Sequence, residues 1–321
     1  MPDLAVGGQA VIEGVMMRSD DRIATAVRVP TGEIKVKSEI FISLTKKHKI
    51  LGLPIIRGAV SFLEMLVVGI KSLNFSADVA VEEIEKEEAA LKGEVYNHKP
   101  RKQNSFLLFI TVAIALTVGI GIFFFLPLAL STLLNIQKDA LQFNLVAGAI
   151  RVIFFIGYVW LISLLGDFKR VFAYHGAEHK SIFAFESGAN MIPEEVVNYP
   201  RRHPRCGTSF ILIVAIFAII IYSVSDTIFA MIMGYPPSLL MRFAVHFSLL
   251  PLVAGGSYEL LKLSGKTRDS KITRFIIAPG LWLQNITTRE PSADQIEVAI
   301  VALESVMNIT DSKLAVRRVP V

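Results

Sequence analysis

Two histidines and a glutamate lie within five residues of this chain, in the order His175, Glu178, His179. On an α-helix, residues three and four apart share one face, so both imidazoles can point at one metal ion. This His-x-x-Glu-His order is the inverted zincin pattern, in which the histidines bind Zn²⁺ and the glutamate acts as general base. The pattern therefore predicts a metal site with Glu178 as its catalytic residue.

The residues that follow this pattern supply further ligand types. Five residues can match by chance on a solvated surface helix, so the surroundings matter. The same segment, residues 167–208, ends with His203 and Cys206, and imidazole and thiolate are ligands that zinc prefers. Glu259, in a later apolar stretch, is either a further ligand or an interfacial carboxylate. The expected metal ligands are His175, His179 and Cys206, with His203 or Glu259 as alternates.

The N-terminal stretch GGQAVIEGVMMR offers one more carboxylate. If the stretch is a strand, Gln9 and Glu13 share one face, because side chains alternate between the two faces of a sheet. Glu13 then reaches the site as a ligand or a base. The alternative is a solvated glutamate in a hairpin, and the sequence leaves both open.

Four apolar runs determine the fold class. The chain has 321 residues, of which 53% are hydrophobic and 19% charged, a composition typical of a membrane protein. Each run has the roughly 20 residues that a helix needs to cross a bilayer. Asp226 and His246, inside the third and fourth runs, are expected to hydrogen-bond to each other in a structural role. The predicted spans are residues 106–134, 146–165, 209–233 and 240–263.

The distribution of positive charge predicts the orientation. Residues 1–105 hold 15 Lys and Arg, the 167–208 segment holds six and the tail from residue 264 holds eight. Because Lys and Arg accumulate on the cytoplasmic side, both termini and the 167–208 segment are predicted to be cytoplasmic. The net charge of +5 is then explained by this bias and by contact with the lipid bilayer. No aromatic-basic pattern indicates nucleic acid binding.

The predicted architecture is an α-helical polytopic membrane protein with about four transmembrane helices. Alternation in AVIEGVMMRS and on both sides of Pro30-Thr31-Gly32 predicts a small cytoplasmic β unit. Ser292 and Gln295 have capping-box spacing ahead of an apolar stripe, which predicts a C-terminal amphipathic helix on this unit or on lipid headgroups. The units are a β unit (1–50), an interfacial helix with an acidic linker (51–105), the membrane domain (106–263) and the cytoplasmic tail (264–321).

Six stretches, in chain order, resemble the YqhQ-like family of bacterial membrane proteins. They are GGQAVIEGVMMR, IIRGAVSFLEMLVVGIKSLNFSA, HGAEHKSIFAFE, HPRCGTSF, SYELLKL and APGLWLQNITTREPSADQIEVAI. The family is described as predicted metal-dependent enzymes. The resemblance therefore implies a multi-pass protein of the bacterial cytoplasmic membrane that uses zinc or another divalent metal.

Two functional hypotheses follow. The first is a metal-dependent hydrolase at the cytoplasmic interface, acting on a lipid-linked or membrane-anchored molecule or a peptide. The second is a non-catalytic scaffold or assembly factor, in which the β unit and the C-terminal helix bind a protein partner and the His/Cys residues form a structural clip. Glu178 separates them, because a general base is dispensable for metal binding but required for activity. A transporter is disfavoured by four spans without a repeat.

Overall fold

The computed structural model describes residues 6–93, 105–135, 140–204, 206–266, 270–307 and 316–318. These residues include a five-stranded sheet of order β1-β2-β3-β4-β5. The first four strands are antiparallel neighbours, and β5 pairs in parallel with β4. The predicted N-terminal β unit is confirmed, with one strand added from the C-terminal tail. The strands are β1 (Gly7–Val11), β2 (Gly14–Arg18), β3 (Arg22–Arg28), β4 (Ile34–Ile40) and β5 (Val316–Arg318).

The first hairpin lies inside a stretch whose alternation is typical of one continuous strand. In AVIEGVMMRS, Val11 pairs with Gly14 across a two-residue turn that contains Glu13. Glu13 has a positive φ of 51°, a conformation that few non-glycine residues adopt, so its identity gives no turn signal. The second predicted turn is confirmed, with Gly32 at a φ of 90° between β3 and β4.

The rest of the described chain is mainly helical. A π-helical turn, Gly121–Phe125, joins α3 to α4, and a short 3₁₀ turn, Ile50–Gly52, precedes α2. The α-helices are α1 (Leu44–Lys47), α2 (Ile56–Leu91), α3 (Ser105–Ile120), α4 (Leu126–Leu133), α5 (Ala140–Ser163), α6 (Gly166–Glu186), α7 (Pro193–Val196), α8 (Gly207–Met233), α9 (Leu239–Ser248), α10 (Leu250–Lys266), α11 (Lys271–Thr287) and α12 (Ala293–Met307).

Three to four apolar helical segments could cross a membrane. Three are Phe109–Leu133, Ala140–Ser163 and Ile213–Met233. The predicted fourth span is a pair of helices, α9 and α10, which meet at an angle of 50°. Pro251, at the start of α10, explains the break, because proline cannot donate the backbone hydrogen bond that a continuous helix needs. Large apolar side chains cover the outer faces, and Ile153 is 65% exposed, which favours a lipid environment.

The packing of the β unit constrains how many times the chain can cross a membrane. Helices α6 and α12 pack together on the sheet around one core that contains Tyr174, Ala177, Ile296 and Ile300. The sheet precedes the first candidate span, α6 lies between the second and third, and α12 follows α10. If the candidate spans cross a bilayer, the sheet, α6 and α12 must all lie on the same side of it. The chain then crosses an even number of times between each of these parts and the next. The bent pair α9–α10 then counts as one crossing, for four in all.

Helix α12 is the predicted C-terminal helix. Its capping box forms as expected: Ser292 N–H donates to Gln295 Oε1 at 3.0 Å, and Gln295 N–H donates to Ser292 Oγ at 3.4 Å. Nine of its residues are buried, so it packs in the core of the β unit. The sequence left two locations open for this helix, the β unit and lipid headgroups, and the structure shows it on the β unit.

Helix α2 is longer than the interfacial helix that the sequence predicts. Its 36 residues continue through the acidic stretch that the sequence assigns to a helix end or linker. Lys35 on β4 accounts for this continuation, since its ammonium group lies 3.3 Å from Glu82 and 3.0 Å from Glu83. The helix therefore joins the sheet to the membrane-type helices.

Candidate metal centre

Helix α6 carries the predicted motif on one face. Glu178 and His179 are buried and His175 is half-buried. Gly176 permits this placement, because a Cβ at its position would lie only 2.0 Å from the carbonyl oxygen of Arg289. The backbone of the segment after α11 therefore presses directly on α6, where Arg289 N–H donates to Phe172 O at 2.8 Å.

Both imidazoles are oriented by backbone carbonyls. His175 Nδ1 lies 2.8 Å from Thr287 O, and His179 Nδ1 lies 2.6 Å from Arg201 O. A carbonyl oxygen only accepts hydrogen bonds, so each Nδ1 must carry the proton and donate it. Nε2 is therefore the atom of each ring that is left to meet Cys206 or a metal ion. Histidines that ligate metals are held in this way in proteins, with the second ring nitrogen donating to a carbonyl or carboxylate.

Cys206 completes a cluster of three potential ligand atoms. Its Sγ is 3.3 Å from His175 Nε2, and the ligand atoms of His175, His179 and Cys206 all lie within 4.8 Å of one another. Cys206 is held there by its position directly before α8 and by a backbone hydrogen bond to His203 O at 3.2 Å. Two imidazoles and one thiolate fit the donor preferences of zinc, and three protein ligands leave a fourth position for another group.

The charges in the cluster also fit a divalent cation. Burial alone would raise the pKa of the Cys206 thiol, but His175 and then His179 bring that pKa well below its usual value. Burial opposes a charged His175, yet the adjacent thiolate raises its pKa to about 9. Without metal, the two groups form a thiolate–imidazolium pair. A zinc ion would replace the proton that they share.

Glu178 lies beside the cluster with one oxygen unsatisfied. The backbone N–H of Gly8 donates to its carboxylate, whereas Oε2 is buried without a hydrogen-bond partner in the described part of the chain. Burial raises the pKa of Glu178 to about 8. A nearby cation would favour the carboxylate form. An orphaned buried oxygen of this kind indicates a missing partner such as water, substrate or an ion.

Gly8 allows strand β1 to lie close enough to Glu178 for this hydrogen bond. A Cβ at Gly8 would lie 2.9 Å from the carboxyl carbon of Glu178 and 2.7 Å from Met16 O. Only glycine lets the strand come this close. The GGQ motif at the N-terminus thus positions the glutamate of a motif 170 residues later.

His203, the first alternate ligand, lies next to the cluster. Its ring centroid is 5.7 Å from that of His179, and its Nε2 is 3.8 Å from a carboxylate oxygen of Glu186. Its backbone is fixed by Gln284, which accepts from His203 N–H at 2.7 Å and donates to His203 O at 2.9 Å. Among the described residues, the group that could hold an ion comprises only the three ligands above.

The two other carboxylates considered from the sequence have different partners. Glu259 pairs with Arg57 on α2, whose Nε lies 2.7 Å from Glu259 Oε1. Glu13 pairs with Arg170 on α6 through Nε at 2.5 Å and lies 3.4 Å from the Tyr174 hydroxyl. Neither lines the cavity of the cluster. Glu259 fastens α2 to α10, and Glu13 fastens the first hairpin to α6.

The cluster opens into a cavity of about 860 Å³. Its walls come from β1, α6 and the membrane-type helices α2, α8 and α10, which contribute Met65, Ile211 and Tyr258. Arg18 brings a guanidinium group to the same cavity and donates to Met65 Sδ at 2.6 Å. The size suits a small-molecule site, which typically spans roughly 300–1,000 Å³.

Two contributors to this site were not identified from sequence. Arg18 resembles the other basic residues of the N-terminal part, and no local pattern distinguishes it. Gln284 had a usable signal, since it and Asn285 are the two polar side chains of the mainly apolar stretch APGLWLQNI. A buried amide in such a stretch needs hydrogen-bond partners, and in this fold the 203–206 segment provides them.

Comparisons with known proteins agree with the motif resemblance. The family model described as "Protein of unknown function (DUF1385)" matches residues 53–309. Over 319 residues the chain is 31% identical to a protein named "Uncharacterized protein YqhQ" from Bacillus subtilis (strain 168), which covers 95% of this chain and 93% of that relative. No solved structure matches the chain at a significant level. The chain belongs to the DUF1385, or YqhQ-like, family of proteins.

Proposed function

We propose that this chain is a metal-dependent hydrolase, with zinc as its metal, acting at the cytoplasmic face of the bacterial membrane. The observation that carries the proposal is the convergence of His175, His179 and Cys206 beside the unsatisfied oxygen of Glu178, at the edge of one cavity. A buried carboxylate beside the ligands, in the wall of the cavity, serves a hydrolase as a general base, whereas a structural clip needs none.

The residues have separate roles in this proposal. His175, His179 and Cys206 hold the ion, and the carbonyls of Thr287 and Arg201 keep both imidazoles in the ligating tautomer. A zinc ion in such a site supplies Lewis acidity, which polarises a carbonyl or phosphoryl oxygen and acidifies water. Glu178 Oε2 accepts the proton of the attacking water and returns it to the leaving group.

The substrate class follows from the cavity walls. One side is formed by the β unit and the other by helices of the membrane-type bundle, so a molecule in the cavity contacts both. A lipid-linked or membrane-anchored substrate satisfies both sides. Arg18 is suited to an anionic group of that substrate, because a guanidinium binds phosphate or carboxylate with two parallel hydrogen bonds.

The proposed location combines composition and packing. Lys and Arg are concentrated in the segments that build the β unit and the cluster, which favours a cytoplasmic position for both termini and the metal centre. The cluster then lies where the spans emerge from the bilayer.

Hydrolysis of bacterial lipids tests this function directly. Detergent-purified protein with one equivalent of zinc is incubated with a total bacterial lipid extract, and products are identified by mass spectrometry. We expect a product from the wild type that is absent with Glu178→Gln, at equal zinc content and thermal stability. Equal products from both proteins would contradict the role of Glu178.

One contact favours a second candidate function. Cys206 Sγ lies 3.3 Å from His175 Nε2, which is the arrangement of a cysteine nucleophile and its base. The thiolate would attack a carbonyl carbon, His175 would protonate the leaving group, and water would then cleave the thioester. Activity that persists after chelation and is lost on alkylation of Cys206 would favour this candidate.

A further inference from the structure

Arg151 places a positive charge in the middle of helix α5. It lies eleven residues after Ala140 and twelve before Ser163, the two ends of α5. With a rise of about 1.5 Å per residue, it is roughly 17 Å from either end of the helix. The hydrocarbon core of a bilayer is about 30 Å thick. Arg151 is therefore near the middle of a candidate span, where an ionised side chain is costly and marks a functional site.

The charge of Arg151 is only partly compensated. Its Nε donates to Phe123 O at 3.0 Å, and its guanidinium carbon lies 5.1 Å and 5.9 Å from the ring centroids of Phe124 and Tyr222. Nη2 is buried and has no hydrogen-bond partner in the described ranges. Among the described residues, Arg151 forms no ion pair with a carboxylate, and arginine stays protonated in proteins.

A second arginine in the same bundle has a carboxylate as its counter-ion. Arg242 lies 3.2 Å from Asp226. Asp226 also lies 2.9 Å from His246 Nε2, the contact expected from sequence, and it accepts from Asn144 at 2.9 Å. That network holds four buried polar residues together and needs no ligand to neutralise its arginine. The contrast indicates that Arg151 lacks a counter-ion within the part of the chain that the structure describes.

The backbone beside Arg151 supplies a hydrogen-bond acceptor for its guanidinium group. The π-helical turn Gly121–Phe125 contains the carbonyl that accepts from Arg151. Single π turns within helices occur frequently at functional sites. The wider turn orients Phe123 O towards α5 and fixes the guanidinium group at one end of a cavity.

That cavity has a volume of about 180 Å³ and is lined mostly by apolar residues of the bundle. Arg151 and Tyr222 are the lining residues that carry polar groups, although the surface facing the cavity is almost entirely apolar. A cavity of about 150 Å³ already accommodates benzene, so a carboxylate with a short length of hydrocarbon fits here.

We propose that Arg151 and this cavity bind the carboxylate end of a long-chain fatty acid. A carboxylate supplies the missing counter-ion and matches the planar guanidinium with two hydrogen bonds. A carboxylic acid can enter the middle of the bundle in its neutral, protonated form and ionise beside the arginine. The phosphate of a bilayer lipid stays at the headgroup level. This site is separate from the metal cluster and does not depend on the hydrolase function.

Binding of defined probes to the detergent-purified full chain tests the site. The probes are oleate, oleyl alcohol, acetate and phosphatidylglycerol, and native mass spectrometry measures the bound fraction of each. The variants are Arg151→Gln, which removes the charge, and Ala215→Phe, which fills the cavity while Arg151 remains. Arg202→Gln, an exposed arginine outside the cavity, controls for loss of one positive charge. Thermal unfolding confirms that each variant is folded.

We expect one oleate per wild-type chain, with oleyl alcohol, acetate and phosphatidylglycerol each bound at least tenfold more weakly. Arg151→Gln and Ala215→Phe should each weaken oleate binding by about tenfold or more, the effect of losing one charge-assisted contact. Arg202→Gln should bind as the wild type does. Equal binding of oleate and oleyl alcohol would overturn the proposal, as would acetate binding as tightly as oleate. Unchanged oleate binding by Arg151→Gln would also overturn it.

Discussion

At the scale of single residues, the chemistry of the candidate site depends on where protons reside. The carbonyls of Thr287 and Arg201 hold the protons of His175 and His179 on Nδ1, so both Nε2 atoms face Cys206. A thiolate is the form that binds zinc and that reacts with electrophiles. The protonation of Cys206 is therefore a property that can be measured before any substrate is known.

We predict that Cys206 of metal-free protein reacts with iodoacetamide at a rate that changes little between pH 8 and pH 6. The reason is that the neighbouring imidazoles hold the pKa of Cys206 well below its usual value, so the thiolate remains as the pH falls. His175→Ala should make the rate drop over this range, because the largest stabilising charge is gone. Alkylation is followed by mass spectrometry of the chain's single cysteine.

Zinc provides the control for this measurement. One equivalent should slow the alkylation of wild-type Cys206 strongly, since a coordinated thiolate is a poor nucleophile. A rate in metal-free wild type that falls about tenfold per pH unit below pH 8, as for an ordinary thiol, would contradict the arrangement of the cluster.

Gly8 gives a second test at the residue scale. Gly8→Ala would place a methyl group 2.7 Å from Met16 O and 2.9 Å from the Glu178 carboxyl carbon. We expect the free energy of unfolding to fall by about 1–3 kcal/mol, as for other overpacked sites. Zinc binding should remain, because the three ligands do not contact Gly8. Gly7→Ala is the matched control, as nothing lies within 4 Å of its Cβ position. Equal unfolding midpoints of the two variants would contradict the close approach of β1 to α6.

At the scale of elements, the cluster depends on three segments that are distant in sequence. Helix α6 supplies both histidines, the 201–206 segment supplies Cys206, and the end of α11 supplies the carbonyl of Thr287. Gln284 connects the last two through a pair of hydrogen bonds with the backbone of His203. It is a positioning residue for the metal site.

We predict that Gln284→Leu weakens zinc binding by about 10–100-fold, the usual effect of removing a residue that supports a metal ligand. The change frees the 203–206 segment but leaves every ligand in the chain. Competition with a fluorescent zinc chelator measures the affinity. Asn285→Leu, at the next and exposed position of α11, should bind zinc as the wild type does. Equal affinities for both variants would show that the 203–206 segment needs no support from α11.

The same elements show what can be predicted from sequence. The spacing of His175, Glu178 and His179 places them on one helical face whatever the tertiary structure, and the apolar runs predict helices for the same reason. A hairpin at Glu13 was one of two alternatives from sequence, but the pairing of Glu13 with Arg170, 157 positions away, was not predictable. The ion-pair partner of Glu259 was also not predictable from sequence, because it depends on how α2 packs against α10.

At the scale of the whole molecule, the β unit determines the topology. It gathers strands from before the first candidate span, α6 from between the second and third, and α12 from after α10. If the candidate spans cross a membrane, all three parts lie on one side of it, with both turns between successive spans on the other side. Composition alone leaves three or four crossings, whereas the packing of these parts requires an even number.

We predict that single cysteines introduced into a Cys206→Ala background divide into two groups. Ser187→Cys, at the end of α6, should react with a membrane-impermeant maleimide only after permeabilisation of the cells. Tyr235→Cys, between α8 and α9, should react in intact cells, because it lies on the opposite side. Both positions are exposed in the structure, so burial does not limit either reaction. Labelling of both residues from the same side would contradict a crossing by α8, the helix that lies between them.

The most direct test of the central claim is the zinc content of detergent-purified protein, measured by elemental mass spectrometry. Wild type is compared with His175→Ala, His179→Ala, Cys206→Ala and Glu178→Gln, each shown to be folded by thermal unfolding. The account predicts about one zinc per chain in wild type and Glu178→Gln, and loss of zinc in the three ligand variants. Folded wild-type protein that neither contains zinc nor takes it up from buffer would contradict the account.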